Sequence, residues 1–101
     1  MSAQLNILDA QNAELEGVLS HQVANQLEMA GIQAIEKAAG GVKSWTVDFS
    51  KVTQSSSVGI AIMLSWLRSA KANKVDLSWK NLPENMQEII QFSGLAPVFK
   101  M

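Results

Sequence analysis

Chemically reactive side chains are few in this chain of 101 residues, which has one histidine and no cysteine. Without cysteine there is no thiol nucleophile, no disulfide scaffold and no cysteine-ligated metal site. His21 is the one possible base for a Ser-His-Asp triad, but a lone histidine at a helix start is usually a solvated polar residue. No carboxylates cluster near it in sequence to complete a metal site. The sequence therefore predicts a protein that is not an enzyme, with no catalytic residue, metal or cofactor.

Nucleotides, nucleic acid and lipid are also poor matches for this composition. No Gly-x-Gly-x-x-Gly or Walker-type loop is present, so a phosphate cradle is missing. Eight basic and nine acidic residues give a net charge of −1, whereas nucleic-acid binding favours a basic surface. No apolar run approaches the roughly 18 residues of a membrane span, and no signal peptide is recognisable. We expect a soluble cytoplasmic protein that does not insert into a membrane.

The remaining chemical feature is a run of three hydroxyl side chains, Ser55-Ser56-Ser57, which precedes an apolar segment. A helix that begins there offers unpaired backbone N–H groups and a partial positive charge. A serine in that place can cap the helix, and the charge of a phosphate is tolerated there as well. From the residues alone, an ordinary cap is favoured over a phosphorylation site, and both remain open.

Seven elements are predicted to position these serines. Alternation of apolar and polar residues predicts a hairpin near 4–9 and 13–18, and further strands at 45–49 and 75–79. Spacings of three and four predict a helix from a Ser20 cap to Gly40-Gly41, and another from Val58 to Ala72. Pro83 fits the first turn of a last helix that ends at Gly94. The order β-β-α-β-α-β-α predicts an α/β fold, a small mixed sheet with packed helices.

The second helix carries a surface that suggests a protein partner. A helical wheel places its core-facing side chains at Ile60, Met63, Leu64 and Leu67. The opposite side then holds Val58, Ile62, Ser65 and Ser69, with Trp66 at the boundary. Small and apolar side chains facing outward are typical of a contact surface rather than of a solvated face. The same pattern also fits a helix that is buried on both sides.

Two segments of the chain resemble the STAS domain family. One runs from Val47-Asp48-Phe49-Ser50 through the polar loop to Gly59-Ile60-Ala61, and the other is the closing Gly94-Leu-Ala-Pro-Val-Phe99. The element order agrees with that family as well. The resemblance implies a single STAS domain over residues 1–101 and a binding module without catalytic activity.

Two kinds of STAS protein are compatible with the serine loop. Anti-sigma factor antagonists usually carry an acidic residue before the phosphorylated Ser or Thr; here Ser56 takes the acidic position and Ser57 that of the phosphoacceptor. Loss of the acid counts against a phosphorylation switch. The chain is closer to the small STAS subunit of the Mla phospholipid-transport ABC system, which is also a small stand-alone domain with a hydroxyl at this helix start.

This resemblance implies a non-enzymatic subunit that binds and supports the ATPase of a phospholipid-transporting ABC complex, and so helps to maintain outer-membrane lipid asymmetry. It would be cytoplasmic and peripheral at the inner membrane through that partner. The partner surface expected from the resemblance and the helical wheel centres on Ser57 and comprises Ser55, Ser56, Ser57, Val58, Ile62, Ser65 and Trp66. The alternative is an anti-sigma factor antagonist that is regulated by phosphorylation of Ser57.

Overall fold

The chain folds into a mixed β-sheet with three helices, and the predicted element order is confirmed. A computed structural model describes residues 3–100; residues 1, 2 and 101, which the predicted domain also spans, lie outside the described part. The elements are β1 (Ala3–Ile7), β2 (Asn12–Val18), α1 (His21–Ala39), β3 (Ser44–Gln54), α2 (Ser57–Ala72), β4 (Asp76–Lys80) and α3 (Glu84–Phe92). No helix in this part of the chain is long and apolar enough to cross a membrane.

The strands lie side by side in the order β1-β2-β3-β4. β1 is antiparallel to β2, whereas β2, β3 and β4 run parallel. Parallel neighbours need a crossover, and α1 and α2 supply the two crossovers. Each helix therefore begins where the preceding strand ends. The N-terminus of α2 consequently lies at the carboxyl end of the parallel strands.

Alternating side chains in the strands divide the sheet into an apolar and a polar face. Trp45, Val47 and Phe49 of β3 are buried, and the intervening Thr46 and Asp48 lie on the other face. The apolar face contacts the helices and holds the core. The result is a two-layer fold with one helix-covered and one open sheet face.

Several boundaries differ from the prediction, and two of them concern the elements around the serine run. β3 continues through the segment expected to be a loop, because Val52 and Gln54 pair with Gly17 and Val18 of β2 across register irregularities. Pro83 is the N-cap of α3 rather than a residue of its first turn. The longer β3 leaves only Ser55 and Ser56 between that strand and α2.

Trp66 of α2 determines how closely α2 packs against α1. Its indole is fully buried, and Nε1 donates to the carbonyl oxygens of Leu27 and Glu28 of α1, each at 3.2 Å. The ring also meets Trp45 of β3 edge to face, with centroids 5.6 Å apart. A Cβ atom at Gly31 of α1 would overlap the Trp66 indole at Nε1. Gly31 is therefore needed for the close approach of the two helices.

Replacing Gly31 with alanine is expected to lower the free energy of unfolding by about 1–3 kcal/mol, because the added methyl overlaps a rigid buried ring. Urea unfolding followed by tryptophan fluorescence measures this loss. Gly40→Ala is the matched control, since the nearest atom to its added Cβ is the Lys37 carbonyl oxygen at 3.6 Å. The control should change stability by no more than about 0.5 kcal/mol. Equal stability of the Gly31→Ala and native proteins would contradict this packing.

Candidate functional site

The predicted serine cluster lies at the junction of β3 and α2, where Ser56 caps the helix. Ser56 has an extended backbone, and its hydroxyl accepts a hydrogen bond from the Val58 N–H at 3.2 Å. Its carbonyl oxygen accepts from the Gly59 N–H at 2.9 Å. These two bonds are those expected of an N-cap residue. At Ser56, the ordinary cap predicted from the sequence is therefore confirmed.

Ser55 is tied to the first turn of α3. Its hydroxyl donates to Asn85 Oδ1 at 2.8 Å, and Asn85 Nδ2 donates back to the Ser55 carbonyl oxygen at 3.0 Å. The pair holds the loop before α2 against the start of α3. Sequence reasoning missed Asn85, because thirty positions separate it from Ser55 and no local motif connects the two residues.

Removing the Asn85 side chain is expected to loosen the serine loop while leaving the fold intact. Asn85→Ala deletes two exposed hydrogen bonds, so the free energy of unfolding should fall by only about 1 kcal/mol. Amide hydrogen exchange should accelerate at residues 55–57. Asn25→Ala, at an exposed position of α1, is the control and should leave that exchange unchanged. Unchanged exchange at 55–57 in the Asn85 variant would show that the pair does not hold the loop.

Ser57 is the first residue of α2 and is exposed, as is the preceding Ser56. Within residues 3–100, its hydroxyl makes no hydrogen bond. No acidic residue lies in the first turn of the helix, so the partial positive charge of the N-terminus is not neutralised locally. The Ser57 hydroxyl is therefore free to meet a polar group of a partner.

Three other residues of the predicted partner surface are buried, so that part of the interpretation is wrong. Val58, Ile62 and Trp66 are 7%, 1% and 0% exposed, and Ser65 is half-buried. The helical wheel assumed one buried side, whereas α2 packs against α1, β4 and α3. Trp66 packs against α1, and Ile62 is buried in the core. Neither side chain can contact a partner unless the domain unfolds.

A different stripe of α2 faces outward, at spacings of three and four residues. Ser57, Ala61 and Arg68 are exposed, and Leu64 and Ser65 are half-buried. We call these five residues the α2 outer face. The helical wheel predicts Leu64 in the core, whereas the structure places it at the core's edge, packed against the core and partly exposed on this face. The face is small-sided and uncharged at its start, with an apolar side chain in its middle and a positive charge at its end.

Asp48, the acidic residue of the β3 motif, has a structural role near the site. Its carboxylate accepts hydrogen bonds from the Ser50 N–H at 2.8 Å and from Asn81 Nδ2 at 3.1 Å. These bonds stabilise the charged form, so the pKa of Asp48 lies below its ordinary value. The contact joins β3 to the turn between β4 and α3. The motif thus ties β3 to that turn through Asp48.

The described residues contain no group of three histidine, cysteine or acidic side chains that could hold a metal ion. His21 is exposed at the first position of α1. His21 therefore has no metal-binding cluster around it within residues 3–100. The serine cluster supplies hydroxyl groups that can donate and accept hydrogen bonds.

Fold and site together define a STAS domain, a class that is generally non-catalytic. The family model described as "Mlab, STAS domain" matches residues 8–99, and the chain belongs to that family. Among curated proteins, no significant match is found.

Two solved structures share the fold. The Bacillus cell fate determinant SpoIIAA in its phosphorylated form is 24% identical, with a TM-score of 0.69 over 95% of this chain and 86% of the other. The anti-sigma factor antagonist SpoIIAA in its unphosphorylated form is 23% identical, with a TM-score of 0.69 over 95% and 84% of the two chains. Both are anti-sigma antagonist-like structures, and at this identity they establish the fold alone.

Proposed function

We propose that this protein is a non-enzymatic STAS subunit that binds the ATPase of a phospholipid-transporting ABC complex and supports its assembly or activity. The observation that carries the proposal is the α2 outer face, where the free Ser57 hydroxyl opens a stripe of small and apolar side chains. Membership of the family described by the name Mlab supports the choice of partner. In this role the protein contributes to outer-membrane lipid asymmetry.

The composition of the α2 outer face suits a close protein contact. The small side chains of Ala61 and Ser65 let a partner backbone approach the helix closely. The half-buried Leu64 adds apolar surface that a partner can cover. The Arg68 guanidinium can form a bidentate pair of hydrogen bonds with a carboxylate of the partner. Ser55 and Ser56 lie beside Ser57, but their hydroxyls are already engaged within the domain. Ser57 is therefore the central polar contact of the proposed interface.

Support of the ATPase requires a difference in affinity between its states. A bound subunit shifts a conformational equilibrium only if it binds one state more tightly than the other. The subunit would favour the state that presents a surface complementary to the α2 outer face. It would remain in the cytoplasm and reach the inner membrane only through the ATPase, without inserting into the bilayer.

The second candidate is an anti-sigma factor antagonist, which the exposed hydroxyl of Ser57 favours. In that role a partner kinase would transfer a phosphoryl group from ATP to Ser57. The helix N-terminus would tolerate the added negative charge. Ser56, in the position usually held by an acidic residue, acts here as the helix cap, and this argues against the switch.

Affinity capture from a lysate of the source cells, followed by mass spectrometry, separates the two candidates. We expect the native protein to retain an ABC ATPase and its membrane subunits, and to leave Ser57 unmodified. Leu64→Lys should lose these proteins, while the control Met29→Lys, at an exposed apolar position of α1, should keep them. Recovery of a kinase and a sigma-factor regulator, with phosphate on Ser57, would overturn the proposal in favour of the second candidate.

A further inference from the structure

Strand β4 forms one edge of the sheet and leaves a row of backbone groups without a strand partner. Among the strands of the described residues, β4 pairs with β3 alone. At its start, the Asp76 N–H donates to the Lys43 carbonyl oxygen at 2.8 Å, so the peptide groups of Asp76 point toward β3. Because peptide directions alternate along a strand, those of Ser78 and Lys80 also point inward. The N–H and C=O groups of Leu77 and Trp79 therefore point away from the sheet.

The space beside this edge is an open groove. One wall is β4 itself, from Asp76 to Trp79, and the other is formed by Leu82, Gln87 and the segment ending in Phe99 and Lys100. Within residues 3–100, no second strand or hydrogen bond covers the outward groups of Leu77 and Trp79. An exposed edge of this kind is a template for another strand.

The sequence of β4 is complementary to itself when it is reversed. It reads Asp76-Leu77-Ser78-Trp79-Lys80, with an acid at one end, a base at the other and a small residue in the centre. Two copies paired antiparallel about Ser78 place each Asp76 opposite the Lys80 of the other copy. The same register sets Leu77 of one copy opposite Trp79 of the other. These are the two residues whose backbone N–H and C=O groups point away from the sheet.

We propose that β4 is a self-association edge, at which two copies of this chain join their sheets through antiparallel pairing centred on Ser78. Each Leu77 and Trp79 pair exchanges two N–H to C=O hydrogen bonds, giving four across the two-fold axis. Each Asp76 and Lys80 pair lies on the open, solvated sheet face, since both residues are exposed. The two sheets then form one continuous sheet, and both β4 edges are closed.

The existing contact of Asp76 does not compete strongly with this pairing. Lys100 Nζ lies 3.3 Å from Asp76 Oδ1, but both side chains are 71% exposed. Exposed ion pairs of this kind contribute little to stability, and a carboxylate has capacity for a second cation. Asp76 can therefore contact Lys80 of the second copy while its own backbone stays in the β3 ladder.

Charge reversal tests the proposed register with the isolated protein, so the result does not depend on the ATPase. Asp76→Lys places lysine opposite Lys80, and Lys80→Asp places aspartate opposite Asp76. Sedimentation equilibrium over rising concentration should show the native protein approaching twice its 11.0 kDa mass. Each variant alone should associate at least about tenfold more weakly, because like charges face each other twice.

A mixture of the two variants tests whether residues 76 and 80 of different copies lie opposite each other. In a mixed pair, both lysines of the Asp76→Lys copy face aspartates of the Lys80→Asp copy, so association should return to the native level. Lys71→Asp, which makes the same charge change on α2, should associate like the native protein. A native protein that stays monomeric at every concentration would overturn the proposal. Association that persists in each single variant, or that the mixture fails to restore, would overturn the β4 register.

Discussion

Replacing Ile62 with lysine is expected to destabilise the protein severely. Ile62 is 1% exposed within α2, so the variant would bury an ammonium group among the apolar side chains of the core. Mutations of this class cost about 4 kcal/mol or more, against a total stability of about 5–15 kcal/mol for a typical protein. Thermal unfolding followed by circular dichroism measures the loss directly.

Leu64→Lys is the matched control, two positions further along the same helix. Leu64 is half-buried on the α2 outer face, so its lysine can extend into solvent. We expect a melting temperature close to that of the native protein, together with loss of the proposed ATPase contact. If Ile62→Lys melts like the native protein and Leu64→Lys does not, α2 is rotated relative to the packing described above.

The second large effect is expected at Ser57, where a negative charge should weaken ATPase binding more than loss of the hydroxyl. In the free protein, an aspartate at the first position of α2 is favourable to the helix, so the fold should hold. In a close contact, the same carboxylate would lose its water without gaining a cation. We expect Ser57→Asp to weaken binding by about 3 kcal/mol, roughly a hundredfold in Kd, and Ser57→Ala by only about 1 kcal/mol.

Calorimetric titration of each Ser57 variant into the purified ATPase subunit measures these differences. Matching melting temperatures of the two variants would assign any loss to the interface rather than to the fold. Equal or tighter binding by Ser57→Asp would mean that Ser57 does not meet a desolvated surface. That result would move the centre of the interface away from the start of α2.

The sequence predicts most of this fold because its local signals agree with one another. Alternation in β3 follows the two faces of the sheet, since Trp45, Val47 and Phe49 all point to the helices. Glycines mark the ends of α1 and α3, where Gly40 is the C-cap and Gly94 has a φ of 75°. These are short-range effects, and each can be recognised within a few residues.

The site is predicted less completely, because its surface depends on contacts between distant elements. The start of α2 and the Ser56 cap follow from local chemistry, and both are observed. Which side of α2 faces outward depends on α1, and the space for Trp66 depends on Gly31, thirty-five positions earlier in the chain. A helical wheel with one buried side cannot represent a helix packed on two sides, so it misplaces the buried Ile62 on the surface and the half-buried Leu64 wholly in the core.

Hydrogen exchange of this protein with and without the purified ATPase subunit of a phospholipid-transport ABC complex shows whether the ATPase binds the α2 outer face. We expect slower amide exchange along α2 from Ser57 to Arg68 when the ATPase is added. We also expect slower exchange in the adjoining serine loop, and no change at the turn between β1 and β2. Unchanged exchange throughout α2, or protection confined to the turn between β1 and β2, would contradict the proposed partner surface.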